Sequence, residues 1–228
     1  MHRLPLLVTA LVLAAAGSEA KDHNPPPWRG QPLSTFQHWT FPGPTPHYDK
    51  PIGPDSGPQA PDKHRNPYVT PLNTLEVWVR GLHPPKVEWL DTIFGMNGVW
   101  RLETVEWGGA WAWGYLQFDI PNADRKGHMK DIRIQVTSRE VAGPPDVFMN
   151  EMQPPPKYWA KVDIVPDGLP VTLPNGTTHR TFKAELPDCP SAEHMTVFAP
   201  AGGAIYVDQV VVDTICRPIA KQQEKQED

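Results

Sequence analysis

Proline limits what this chain can fold into more than any other residue. It occurs 29 times in 228 residues, more than twice the roughly 5% of average usage. Each proline removes a backbone N–H and fixes φ, so it stays out of helix interiors and central strands. Thirteen prolines fall between Lys21 and Pro71, including Pro25-Pro26-Pro27 and the series Pro42, Pro44, Pro46. Residues 21–71 are therefore expected to form an extended arm. One island inside it, Thr35-Phe36-Gln37-His38-Trp39-Thr40-Phe41, has strand chemistry. It is expected to add to the domain as an edge strand over 35–41.

From about Leu72 the prolines become punctuation between short β-type runs. Leu75 to Arg80, Gly98 to Glu103, Ala112 to Ile120, Lys130 to Arg139, Tyr158 to Val165, His179 to Leu186, Met195 to Ala199 and Ala204 to Cys216 read as strands. Their spacing, with no amphipathic helix between them, predicts an all-β fold. The expected form is a single antiparallel β-sandwich of jelly-roll type over residues 72–217, with a polar tail at 218–228. Val171 to Thr178 reads as a hairpin, and Asn175-Gly176-Thr177 within it is both a turn and a glycosylation acceptor pattern. Ile132, Ile134 and Val136 alternate with Arg133, Gln135 and Thr137, which predicts one core side and one wet side. The run Ile205 to Ile215 is apolar on both sides. That suits a central strand long enough to invite a bulge.

Residues 1–20 have the anatomy of a secretory signal. His2 and Arg3 precede an apolar stretch from Leu4 to Ala16, and Ser18-Glu19-Ala20 offers small residues before the cut. Thirteen apolar residues are too few for the ~20 of a membrane-spanning helix. Export is expected, with no transmembrane anchor. An oxidising compartment favours pairing Cys189 with Cys216, worth roughly 3–4 kcal/mol by the chain-entropy argument. The alternative is two buried thiols behaving as small hydrophobes. A formal charge of −5 gives no footprint for nucleic acid and no polybasic membrane patch.

The segment Trp107 to Ile120 holds the most informative chemistry. On a strand, Leu116, Phe118 and Ile120 share one side, while Trp111, Trp113, Tyr115 and Gln117 share the other. A row of rings is a platform for the C–H side of sugars, and Arg133 and Gln135 on the next expected strand would supply hydrogen bonds. The competing reading makes those rings core filler, with Gly108, Gly109 and Gly114 making room for them. For catalysis the sequence offers no Glu-x-Asp-x-Glu pattern, no Gly-x-Ser-x-Gly elbow and no His-Glu-x-x-His. No catalytic residue, cofactor or transition-metal site is expected, and the weaker alternative is a jelly-roll glycoside hydrolase or polysaccharide lyase whose site the sequence hides. A structural calcium ion held by carbonyls and an aspartate stays compatible with the sequence. Asp208, in Tyr206-Val207-Asp208, is expected to be a structural hydrogen-bonder beside a bulge.

Two stretches carry a resemblance. Ala204-Ile-Tyr-Val-Asp-Gln-Val-Val-Val-Asp213 is similar to the closing strand of jelly-roll carbohydrate-binding modules and galactose-binding-like domains. Phe36 to Phe41, Asn66-Pro67-Tyr68 and Gly98-Val99-Trp100-Arg101-Leu102 resemble exported bacterial β-sandwich proteins that often carry a C-terminal PEP-type sorting anchor. A charged tail, Lys221 to Asp228, stands where that anchor would be. The resemblance implies a jelly roll and a saccharide or similar extracellular polymer as partner. The other expectation, from a different class, is a structural protein of the envelope or matrix that meets its partner through the proline-rich arm.

Overall fold

The structure is a computed structural model that describes residues 22–41, 63–67, 75–80, 87–107, 109–122, 124–152 and 159–219. The expected signal at 1–20 and most of the tail lie outside them, as does 42–62 of the proline-rich stretch. The fold is all-β, with no helix among the described residues. The strands are β1 (Ser34–Trp39), β2 (Lys63–Arg65), β3 (Leu75–Arg80), β4 (Val87–Ile93), β5 (Met96–Trp107), β6 (Ala110–Pro121) and β7 (His128–Glu140). They continue as β8 (Asp146–Met152), β9 (Trp159–Val162), β10 (Val165–Pro166), β11 (Val171–Thr172), β12 (Thr178–Leu186), β13 (Ala192–Phe198) and β14 (Ala204–Pro218).

Hydrogen bonds join all 14 into one antiparallel sheet whose path runs β10-β12-β7-β14-β5-β6-β13-β8-β9. β5 is where the path turns. Trp100 to Glu103 pair with β14, and Thr104 to Trp107 pair with β6. Two arms of sheet therefore extend from one continuous strand, and the inward sides of both fill one core. Leu116, Phe118 and Ile120 come from β6, Ile132, Ile134 and Val136 from β7, and Val210 and Val212 from β14. Trp39 of β1 packs its ring edge-on against Phe118 with centroids 4.8 Å apart, which ties the two arms across the core. At one end a buried ion pair joins them as well. Lys130 of β7 pairs with Glu193 of β13, and Asn122 Nδ2 donates to the same carboxylate at 2.8 Å.

β14 is central, as its sequence predicts. It pairs with β7 along one edge and with β5 and β1 along the other. The expected bulge falls between Val207 and Gln209. The 35–41 island forms β1, but not as an edge. β14 lies on one side of it and β2 on the other, and Trp39 and Phe41 are fully buried. The hairpin forms between β11 and β12. Its turn needs Gly176 at φ +77°, a region where side chains are strained. Cys189 and Cys216 form a disulfide, with Cα atoms 5.9 Å apart. No helix among the described residues is long and apolar enough to cross a membrane.

Candidate functional site

Alternation along β6 decides where its rings point. Leu116, Phe118 and Ile120 are wholly buried, whereas Trp111 and Trp113 are 38% and 37% exposed. Tyr115 and Gln117 follow them on the outward side, half-buried. The outward rings of this strand, Trp111 and Trp113, are therefore not core filler, unlike Phe118. Sheet register then extends the row sideways. Tyr115 lies opposite Phe198 of β13, and Gln117 lies opposite Thr196. Thr196 in turn lies opposite Phe148 of β8, and His194 opposite Asn150.

Directly opposite residues of an antiparallel pair share a face, with side chains about 5 Å apart. The result is a shallow cavity of about 380 Å³ lined by Trp113, Tyr115 and Gln117, by Thr196 and Phe198, and by Phe148 and Asn150. Four rings alternate with three neutral hydrogen-bonding groups. At the far end, Lys161 holds its ammonium 5.9 Å from the Phe148 ring. Asp119 and His194 close the band there, in contact through Oδ1 and Nδ1. The chemistry of this surface is that of stacking and neutral hydrogen bonding. Among the described residues no three His, Cys, Asp or Glu side chains gather as a candidate metal site.

Phe148, Asn150, Thr196 and Phe198 are additions that the sequence reading missed. The signal was present in each strand. Met195, Val197 and Ala199 are buried while Thr196 and Phe198 lie between them, half-exposed, and Met149 separates Phe148 from Asn150 in the same way. What local sequence lacks is the order of strands, which decides whose outward residues meet.

That same gap misplaces Arg133 and Gln135, and their assignment to the ring platform is corrected. β7 follows β6 in the chain but pairs with β12 and β14, so two strands, β14 and β5, stand between it and β6. Arg133 forms an ion pair with Asp167 at 3.3 Å. Gln135 is 1% exposed, and its Oε1 accepts the Asn24 backbone N–H at 3.0 Å. The expected wet side of β7 is covered because residues 22–33 fold back over it.

Beneath that cover, four buried side chains on four strands form a hydrogen-bonded ladder. His38 Nε2 meets Gln209 Oε1 at 3.0 Å, and Gln209 Nε2 donates to Thr137 Oγ1 at 2.9 Å. Thr137 Oγ1 meets His179 Nδ1 at 3.0 Å. Asn24 Nδ2 donates to Thr181 at 3.2 Å, and Arg29 donates two bonds of 2.5 Å to the fully buried carboxylate of Asp213. Burial pushes Asp213 up to about 6 against the pull of Arg29. Burial holds His179 down at about 4, with His23 beside it acting in the same direction. Asp208 sits at the bulge, but no hydrogen bond from a described residue reaches its carboxylate. Desolvation lifts it to about 6.

The sequence matches no protein-family model, and no curated protein matches it.

Proposed function

We propose that this chain is an exported, non-catalytic β-sandwich of jelly-roll type that binds a saccharide or similar extracellular polymer across the band of rings on β6, β13 and β8. The observation that carries this reading is the outward placement of Trp111 and Trp113 on a strand whose other side is sealed. The sandwich reading is supported by the two arms of sheet that meet over one core through Trp39 and Phe118. The export reading is supported by the disulfide, which belongs to oxidising compartments.

Sugars present a C–H side that stacks on rings and a rim of hydroxyls that needs donors and acceptors. Trp113, Tyr115, Phe198 and Phe148 supply the first, and Gln117, Thr196 and Asn150 the second. Each stack contributes on the order of 1 kcal/mol, so one chain binds weakly and gains by engaging repeating polymers at several sites. The shallow form of the site suits a chain laid along it better than an enclosed monosaccharide.

The assembly alternative rests on the proline-rich arm and an edge strand near Trp39. β1 is paired with β14 and, over Phe36 to His38, with β2, which favours the binding reading. The test is affinity electrophoresis of the full chain through gels holding soluble neutral polysaccharides. Retardation by at least one polymer is expected, lost in Trp113→Ala while the circular dichroism and unfolding midpoint stay near wild type. Equal retardation of the variant and wild type rejects this site.

A further inference from the structure

Arginine side chains in folded proteins are generally held by carboxylates, because the guanidinium fork matches them in geometry and charge. Most of the described arginines follow that rule. Arg29, Arg101, Arg133, Arg180 and Arg217 each meet an Asp or Glu. Arg65, Arg125 and Arg139 form no ion pair among the described residues. Arg139 is occupied otherwise, lying over the Phe94 ring and donating to the Asn175 carbonyl. The remaining two line the same cavity, of about 250 Å³, between the turn at 31–34 and the end of β6.

We infer that this cavity is an oxyanion site, in which Arg65 and Arg125 together bind one phosphate, sulfate or carboxylate group. The volume lies just under the 300–1,000 Å³ typical of small-molecule sites, which suits a compact anion and not an extended polymer. Two arginines lining one small space, neither held by a described carboxylate, bring positive charge that one shared anion would neutralise.

The walls are built to hold the two arginines in place. Arg65 Nη1 donates to the Gly30 carbonyl at 2.9 Å, which spends one of its five N–H groups and leaves four. Gly30 has φ +86°, where a side chain is strained, and a Cβ there would lie 3.0 Å from Arg65 Nη1 and push the guanidinium aside. Ser34 Oγ accepts the Gly30 N–H at 3.0 Å and donates to the Gln31 carbonyl at 2.7 Å, which fixes the turn.

On the opposite wall, the Arg125 backbone N–H bonds the Cys189 carbonyl at 3.0 Å. Cys189 is tied by its disulfide to Cys216, itself part of the lining. Asn122 has already committed its amide to Ile120, Glu193 and Thr214, so it is wall and not ligand.

This site does not depend on the ring band. No residue is common to the two cavities. Along the chain their nearest lining residues, Gln117 and Asn122, lie five residues apart, about 16 Å at 3.3 Å per residue.

The test is calorimetric titration of the full chain with sodium phosphate, sodium sulfate and sodium galacturonate, each at fixed ionic strength. The three arms tell a free phosphate from a sulfated or a carboxylated source. Saturable 1:1 binding of at least one anion is expected, at least tenfold weaker in Arg125→Gln and unchanged in Arg139→Gln. The second variant matters because sulfate and phosphate also strengthen burial nonspecifically. No saturable binding of any of the three, or equal binding by Arg125→Gln and wild type, overturns the site.

Should Arg125→Gln not fold, arginine Nε–Hε resonances of the wild-type chain decide instead. Shifts confined to Arg65 and Arg125 support the site, and shifts spread over all arginines, or none, refute it.

Discussion

The outward sides of the two arms of the sheet have opposite fates. On β6, β13 and β8 the outward residues are rings and neutral polar groups facing solvent across an open hollow. On β1, β14, β7 and β12 they are His38, Gln209, Thr137 and His179, buried and bonded to one another beneath residues 22–33. The alternation along the strands is the same in both places. What differs is whether a segment distant in sequence lies on top. Polar side chains tolerate a cover if their hydrogen bonds are met inside it, as they largely are along the ladder. Rings tolerate water at a modest cost and gain when a flat partner arrives. The comparison teaches that composition of an outward side does not reveal its exposure: here the polar side is dry and the aromatic side is wet.

The cover should be costly to break. Arg29→Ala leaves Asp213 buried without its cation, and urea unfolding at pH 7 should show a loss of about 3 kcal/mol. The loss should shrink at pH 5, where Asp213 is already protonated in the fold, burial having raised it to about 6. An equal loss at both pH values would mean that residues 22–33 simply lift and let water reach the carboxylate.

Two further variants tilt the covered side in opposite senses with pH. Asp208 holds its proton more tightly in the fold than when unfolded, so its contribution favours the fold at low pH and is lost as pH rises from 4 through 6. Asp208→Asn should therefore gain about 2 kcal/mol over wild type at pH 7.5 and nothing at pH 3.5. A pH-independent difference would remove desolvation as the cause. His179 is the reverse case. Unfolded, it takes a proton near 6.5, and folded it resists until about 4, so its contribution is present above 6.5 and is lost on acidification. His179→Asn should flatten the acid-side loss between pH 6.5 and 4 by up to roughly 2 kcal/mol. An imidazole titration by NMR that places folded His179 near 6.5 would refute this. Smallest of all should be the open side, where Trp113→Ala is expected to change stability by less than about 1 kcal/mol. A larger loss would show that the ring supports the fold.

Much of the strand pattern was legible because it rests on local chemistry. The alternation of Ile132, Ile134 and Val136, the double apolar run of β14 and its bulge, and the Asn175-Gly176 turn all formed where their residues placed them. The packing of residues 22–33 was not legible. Pro25, Pro26, Pro27 and Pro32 forbid regular structure there but do not forbid contact, and Asn24 finds Gln135 and Thr181 more than 100 residues away. The ring platform was half legible for the same reason. Trp111, Trp113, Tyr115 and Gln117 follow from the period of one strand, whereas Phe148 and Phe198 join them only through sheet order, and Arg133 and Gln135 leave them by it. β4 and β8, each lying beyond a proline cluster, went unread as strands.

The position of β14 in the chain has a temporal consequence. This strand, the last among the described residues, pairs with β7, β5 and β1, and β1 is the first among them. The pairings of β1, β5 and β7 with β14 must wait for it, and such non-local contacts are slow to form. Until residues 204–218 emerge, β7 can meet β12 and β6 can meet β13, but no described strand bridges β7 to β5, so the halves of the sheet stay unjoined.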